Sequence, residues 1–328
     1  MAKPKVFVTR MIPEAGLAMV REFCDADIWP GDLPPERAYV LEHVQGVDGI
    51  LSLLTTKMDP AVMDAAGPEL KVISNYAVGF DNIDIPEATR RGIPVGHTPG
   101  VLTETTADFA FALLISAARR VVEGHNYTLA GKWKTWGPSL LLGQDVYGAT
   151  LGLVGFGRIG KSMAKRATGF DMKILYHDEF VPADDPFAVE VGARAVDMDT
   201  LLAESDFVSL HAPLLPSTHH LIDAAALAKM KSTAILVNSA RGPLIDPAAL
   251  YDALVNGGIA YAGLDVTDPE PIPMDSPLLT LDNIIIAPHI ASASVVTRDR
   301  MAVMAANNLI AGLTGQRLPN CANPQVYG

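Results

Sequence analysis

The stretch Ala149-Thr150-Leu151-Gly152-Leu153-Val154-Gly155-Phe156-Gly157-Arg158-Ile159-Gly160, followed by Lys173-Ile174-Leu175-Tyr176-His177-Asp178, decides the fold. A short apolar run of β type breaks at Gly155-x-Gly157-x-x-Gly160, and a helical pattern through Met163, Ala164 and Ala167 takes over. Each glycine answers a separate need. Gly155 permits the tight strand-to-helix turn, Gly157 lets backbone approach a pyrophosphate, and Gly160 lets helix and strand pack closely. The first helical residues, Arg158 and Ile159, then present unpaired N–H groups at the positive end of the helix dipole. Asp178 closes the next apolar run, at about the twenty-residue distance where a carboxylate can hold a ribose diol. A lone glycine triplet is weak, because glycines also gather in turns that bind nothing. With the strand before it, the helix after it and the acid beyond, this stretch predicts a dinucleotide site for NAD or NADP.

Bulk properties set the frame around that site. A chain of 328 residues exceeds one average domain, so two are expected, each able to bury a core without staples. Hydrophobic content of 49% with 19% charged residues excludes a disordered chain. The net charge of −12 argues against nucleic acid or an anionic membrane as partner. Only Cys24 and Cys321 are present, in no metal-like spacing, so no metal is assigned and a reducing, cytoplasmic location is expected. The start, Met1 to Thr9, runs into a strand with no signal-peptide core. The most apolar helix, Phe109 to Ala118, is bounded by Asp108 and Arg119-Arg120 and is too short to cross a bilayer.

Two alternating β/α series follow from the periodicity. The first has strands at Lys5–Thr9, Gly49–Leu54 and Leu70–Asn75, with helices at Glu14–Phe23 and Pro60–Ala66. The second starts at Ala149 and continues with strands near Phe207–His211, Ala234–Asn238, Tyr261–Val266 and Asn283–Ala287. Helices at Asp223–Met230 and Pro247–Val255 lie between them. Strands separated by helices predict an α/β chain with two doubly wound parallel-sheet domains. Hinges at His97-Thr98-Pro99-Gly100 and Ala287-Pro288-His289 place the nucleotide-binding Rossmann domain at 99–290, with 1–98 and 291–328 forming the second domain. One long helix is expected from Thr103 to Gly124, and a tail helix over Arg298–Leu313 that returns to the first domain. A cleft between two such domains is the expected ligand site.

A nicotinamide enzyme acting on a carbonyl needs a proton donor and a group that holds the substrate. Arg241 follows Ala234-Ile235-Leu236-Val237-Asn238-Ser239-Ala240, Glu270 follows Gly263-Leu264-Asp265-Val266, and His289 follows Ile284-Ile285-Ile286-Ala287-Pro288. Taken singly, the three read as a loop cation, a turn residue between prolines and a satisfied histidine. Together they lie beyond successive strand ends, on the sheet edge where doubly wound folds bind ligands. A guanidinium there can clamp a carboxylate bidentately. His43, His97, His125, His177, His211, His219 and His220 lack this placement and read as structural.

At these residues the chain resembles the D-isomer-specific 2-hydroxyacid dehydrogenases. The resemblance rests on Leu236 to Gly242, on Ala262 to Val266 with Glu270-Pro271, and on Pro288 to Ser292. Ser205 to Leu214 and Tyr76 to Asp84 match as well, so it spans essentially the whole chain. Within the family the chain looks most like the glyoxylate/hydroxypyruvate reductases. The resemblance implies a flavodoxin-like substrate domain beside the Rossmann domain. It also implies a homodimer joined through the helix near Asp108 and the segment Trp133–Tyr147. It gives Arg241 the substrate carboxylate and carbonyl, His289 the proton donated to the carbonyl oxygen, and Glu270 the pairing with His289. Asp265 and Ala240 fall on the cofactor side. Backbone N–H groups of Val78 and Gly79 would hold the substrate carboxylate, with Leu53 and Leu54 lining the pocket. The chemistry agrees, since hydride arriving at a carbonyl carbon creates an alkoxide that a positioned cationic imidazole can protonate.

Two departures qualify the match. Hydroxypyruvate-specific members carry an extra tryptophan where this chain has Pro138-Ser139-Leu140-Leu141-Leu142-Gly143, so an aliphatic side chain such as Leu140 replaces the aromatic selector. After the second Rossmann strand stands His177-Asp178-Glu179-Phe180, with no basic residue before Arg194, which predicts NADH over NADPH. The expected reaction is reduction of glyoxylate or hydroxypyruvate to the 2-hydroxy acid. The alternatives are another 2-hydroxyacid dehydrogenase, of phosphoglycerate type or of broader 2-oxo acid range, or a non-catalytic NADH-sensing scaffold. Too little chain follows His289 for the C-terminal regulatory domain that many phosphoglycerate enzymes carry.

Overall fold

The computed structural model describes residues 2–328, and the chain divides into two compact units, Met1–Leu102 with Ala293–Gly328, and Thr103–Ser292. The divisions fall a few residues beyond the hinges expected at 98/99 and 290/291. Gly100 takes a positive φ of 82° in a turn, and the next helix begins only at Thr103.

The first unit contains β1 (Lys5–Val8), α1 (Glu14–Phe23), β2 (Asp25–Ile28), α2 (Arg37–His43) and β3 (Gly49–Ser52). It continues with α3 (Pro60–Ala66), β4 (Val72–Asn75), α4 (Ile85–Arg90) and β5 (Val95–Gly96). Its sheet is parallel throughout, in the order β2-β1-β3-β4-β5, which is the flavodoxin-like winding. Alternate residues Phe7, Ile50, Ile73 and Val95 face a core built with Val40, Val44, Val62 and Met63 from α2, α3 and their flanks. The other face is covered by the tail helix of the chain, which packs on α1, β3 and β4. Strand β2 escapes hydrophobic patterning because Asp25-Ala26-Asp27-Ile28 is a half-exposed edge that buries little.

The second unit contains α5 (Thr103–Ala118), α6 (Val121–Leu129), β6 (Thr150–Val154), α7 (Arg158–Thr168), β7 (Lys173–His177) and α8 (Pro186–Glu190). Then come β8 (Arg194–Ala195), α9 (Met198–Glu204), β9 (Phe207–Leu210), α10 (Ala224–Leu227), β10 (Ile235–Asn238), α11 (Pro247–Val255), β11 (Tyr261–Leu264) and β12 (Ile284–Ile286). The seven strands are parallel in the order β12-β11-β10-β9-β6-β7-β8, the Rossmann order with one strand added. The strands read as unbroken apolar runs because both faces are covered. Leu151, Leu153, Phe207, Ile235 and Val237 join one core, while Val154, Val208, Leu210 and Leu236 join the other. The direction of winding reverses between β6 and β9, so the glycine loop leaves β6 at the switch point.

Two expected helices differ from those observed. The long helix does not run from Thr103 to Gly124. It stops at Ala118, whose carbonyl accepts the Gln144 N–H at 2.8 Å, and Arg120 turns left-handed at φ 52° before α6 starts. The captured carbonyl diverts the helix. The tail helix, α12 (Val295–Leu313), begins three residues earlier than its apolar pattern indicates, because Ser294 caps it by accepting the Thr297 N–H at 3.2 Å.

Candidate active site

In the second unit the parallel sheet collects every strand's carboxyl end on one edge, and the glycine loop occupies that edge at the switch point. Gly155 has φ 92°, and a Cβ there would stand 2.7 Å from the His211 carbonyl carbon and the Ala212 nitrogen. At Gly160 a Cβ would lie 2.2 Å from the Gly155 carbonyl oxygen. Gly157 is different, since nothing lies within 4 Å of where its Cβ would be. No protein atom requires glycine there, so the space suits a ligand approaching the backbone. The N-terminus of α7 beside it has no side-chain cap, which leaves its N–H groups for an anion. Arg158 is exposed, and Ile159 packs against the core behind the loop.

Asp178 lies just beyond β7, and its carboxylate ties two loops together. Oδ2 accepts the Phe156 N–H at 2.7 Å, while Oδ1 accepts the N–H groups of Phe180 at 2.8 Å and Val181 at 3.2 Å. Two lone pairs per oxygen leave one acceptor position on Oδ2 for a ribose hydroxyl.

Arg241 comes three residues after β10 in an extended conformation, held by Asn238. The Asn238 side chain donates to the Arg241 carbonyl at 2.8 Å and accepts the Ala240 N–H at 3.0 Å, so the turn is fixed before the guanidinium is placed. Arg241 Nη1 donates to the Ala240 carbonyl at 2.8 Å. Behind the turn, a Cβ on Gly242 would meet the Thr267 carbonyl at 1.9 Å, so this turn packs directly on the segment that leads to Glu270.

His289 and Glu270 meet. His289 Nδ1 lies 2.6 Å from Glu270 Oε1, with both side chains partly exposed. A carboxylate on Nδ1 orients the ring and leaves Nε2 for another partner. The histidine backbone is left-handed, at φ 55°, a conformation that persists where the surroundings enforce it. Asp265 does so. Its carbonyl accepts the His289 N–H at 2.8 Å, and its two carboxylate oxygens accept the N–H groups of Ile290 and Ala291, each at 2.8 Å. Burial pushes the Asp265 carboxyl above its ordinary range, while those two N–H donors pull the other way. The resemblance sets Asp265 on the cofactor side, and its carboxylate's bonds run to the loop that carries His289. His211 is no rival proton donor. Desolvation pulls its imidazole down to about 4, and its Nε2 lies 2.9 Å from Ser209 Oγ.

In the first unit, the loops after β3 and β4 are held by an amide network that sequence reading missed. Ser52 Oγ donates to Asn75 Oδ1 at 3.0 Å, and Asn75 Nδ2 donates to Asn82 Oδ1 at 3.1 Å and to the Gly79 carbonyl at 3.0 Å. Asn82 Nδ2 donates to the carbonyls of Leu53 at 3.1 Å and Thr56 at 3.0 Å. His97 Nδ1 lies 3.0 Å from the Val78 carbonyl oxygen. Among the described residues the Val78 and Gly79 N–H groups reach no acceptor, as suits an anion site. Leu53 is half-buried and Leu54 exposed. The one signal for this network was polar residues, Ser52 and Asn75, closing otherwise apolar strands.

The chain is similar to known proteins in sequence and in fold. The family description "D-isomer specific 2-hydroxyacid dehydrogenase, NAD binding domain" matches residues 111–291. A glyoxylate reductase of Korarchaeum cryptofilum is 55% identical, covering 99% of this chain and 97% of its own. One from Thermococcus litoralis is 49% identical over 99% of this chain and 98% of its own. Among solved structures, a Thermus thermophilus protein superimposes with a TM-score of 0.91 at 48% identity, covering 97% of this chain and 99% of that one. An NADPH-dependent glyoxylate/hydroxypyruvate reductase of Sinorhizobium meliloti, solved with NADP and malonate, has a TM-score of 0.86 at 31% identity over 99% and 98% of the two chains.

The Asp265 clamp has a direct readout. Asp265→Asn keeps the shape but leaves an NH2 group facing one of the two amides. Amide hydrogen exchange at Ile290 or Ala291 should then accelerate by about tenfold or more, the worth of one charge-assisted bond. Unchanged protection at both would show that something else holds the His289 loop.

Proposed function

The chain belongs to the D-isomer specific 2-hydroxyacid dehydrogenase family and is a nicotinamide-dependent oxidoreductase, and on that premise we propose that it reduces glyoxylate, and hydroxypyruvate as a larger alternative, to the 2-hydroxy acid. The observation that carries this reading is the 2.6 Å pairing of His289 with Glu270 on the sheet edge that also bears Arg241 and the glycine loop. When bound, the cofactor supplies the hydride. The protein's residues do the rest. Arg241 clamps the substrate carboxylate and polarises the carbonyl with a planar donor fork. His289 gives a proton from Nε2 to the oxygen that becomes the hydroxyl, while Glu270 holds Nδ1 and steadies the cation. In the first unit, the amides of Val78 and Gly79 are the donors assigned to a substrate carboxylate, with Leu53 and Leu54 beside them. By resemblance, an aliphatic side chain such as Leu140 takes the place of the tryptophan of hydroxypyruvate-specific members, which leaves room for a slightly larger or more apolar 2-oxo acid as well.

Purified protein should therefore turn over glyoxylate with NADH. His289→Ala should lower kcat by roughly 10²–10⁴-fold, the usual worth of general acid catalysis. Arg241→Lys should lose most of kcat/KM, because an ammonium cannot reproduce the bidentate fork. Absence of turnover on a panel of 2-oxo acids would leave the NADH-sensing alternative, and an active His289→Ala enzyme would remove the histidine from its role.

For the cofactor we infer NADH. Asp178 retains one acceptor for an unmodified ribose, and Asp178 with Glu179 would repel a 2′-phosphate. The first basic side chain beyond them, Arg194, is paired with Glu204 at 2.7 Å. NADH should exceed NADPH by at least about tenfold in kcat/KM, or roughly 1.4 kcal/mol. Because Asp178 also pins the glycine loop, Glu179→Arg is the cleaner probe, and it should narrow the gap. Equal use of both cofactors by the wild type would overturn the assignment.

The same reading includes a homodimer. Leu129, Trp133, Trp136, Leu142 and Tyr147 lie 61–79% exposed within one short span, the mark of a surface that meets a partner. Light scattering should give twice the 34.9 kDa chain mass, and Trp136→Arg should lower it. A monomeric wild type would refute this surface as an interface.

A further inference from the structure

Two histidines that sequence reading set aside as structural lie beside an acid far along the chain. His219 and His220 follow β9, with ring centroids 4.0 Å apart in a near-parallel stack. His220 Nε2 is 3.9 Å from Asp268 Oδ2. One ligand-type atom from each of the three side chains lies within 4.8 Å of the others. Among the described residues, none of the three side chains makes a hydrogen bond, and the 3.9 Å approach of His220 to Asp268 is the one ion-pair contact they make. His219 is exposed, and His220 and Asp268 are each about one third exposed, which leaves an ion a way in.

The backbone beneath them is fixed from two sides. His220 adopts a left-handed φ of 51°, and its N–H donates to the Pro243 carbonyl at 2.8 Å. Two residues later, Ile222 exchanges backbone bonds with Leu244 and Asp246, so the histidine loop is pinned along the turn after Arg241. Asp268 approaches the same turn from β11. The Thr267 carbonyl and Asp268 nitrogen press on Gly242 so closely that no Cβ could fit, and Thr267 Oγ1 donates to the Pro269 carbonyl at 2.9 Å. Ligands held by separately anchored loops lose little freedom when an ion joins them.

We propose that His219, His220 and Asp268 form a binding site for one divalent transition-metal ion of the Zn²⁺ or Co²⁺ type. Two imidazoles and one carboxylate suit such an ion better than Ca²⁺ or Mg²⁺, which prefer all-oxygen shells. Tetrahedral coordination at 2.0–2.1 Å sets ligand atoms about 3.3 Å apart. The widest pair therefore has to close from no more than 4.8 Å, a shift that rotation of partly exposed side chains supplies. Three protein ligands leave one position for water. The site lies two residues from Glu270, so an ion there would tie the segment carrying Glu270 to the loop after β9.

The test uses the full chain, free of affinity tag and stripped of metal by a chelator. Titration with Co²⁺, followed by calorimetry and visible absorption, should show one ion per chain with a d–d band of histidine-ligated cobalt. His219→Ala and Asp268→Asn should each weaken that binding by about tenfold or more. Zn²⁺ should raise the melting temperature of the wild type more than that of either variant. Because His219 is exposed, its variant folds without it, and its metal-free turnover should equal that of the wild type. No binding by the wild type, or binding unchanged in both variants, would overturn the site.

Discussion

A parallel sheet places the carboxyl ends of all its strands on one edge, and every chemical feature of the second unit depends on that constraint. Seven strands run the same way, so the loops after β6, β7, β10, β11 and β12 share one border. Residues far apart in sequence, from Gly155 to His289, thereby reach one side of the sheet without any long excursion of the chain. The apolar runs that fill both faces have no polar alternation to spare, which leaves the loops as the place where charged side chains can act.

Loops are mobile unless something holds them, and here polar anchors do so. Asp265 holds the backbone around His289, Asn238 holds the turn that carries Arg241, and Asp178 joins its own loop to Phe156. In the first unit, Asn75 and Asn82 do the same for the loops after β3 and β4. Asp265, Asn238, Asp178 and Asn75 lie at or just past a strand end, Asn82 lies within the loop after β4, and all bind backbone groups the sheet leaves unpaired. Burying such groups without partners would cost about 1–3 kcal/mol each. The same bonds fix the backbone that carries Arg241 and His289.

The turn after Arg241 links three features. Gly242 and Pro243 meet both the Thr267–Asp268 segment and the loop of His219 and His220. Glu270 lies on the continuation of the first, so the arginine, the glutamate and the histidine–aspartate cluster share one rigid junction. The contacts that join them are backbone contacts rather than long flexible side chains.

While the flavodoxin-like winding came from family resemblance, the sequence by itself determined the α/β class with two parallel-sheet domains, the strand–glycine-loop–helix unit at Gly155, and the placement of Arg241, Glu270 and His289 beyond successive strand ends. These are legible because they rest on local patterns, namely strand periodicity, helix signals and turn chemistry, which neighbouring residues dictate. Edge elements such as β2 were illegible because half-exposed strands bury too little to leave an apolar signature. Tertiary structure alone decided where α5 stops, since the Ala118 carbonyl is claimed by Gln144 from beyond α6. It alone turned Asp265 toward the His289 loop and occupied most of Asp178 with backbone donors. It also brought Asp268 to His219 and His220. Each of these is a contact between residues distant along the chain, and no local pattern encodes it because the register of packed loops, settled only on folding, determines which donor meets which acceptor.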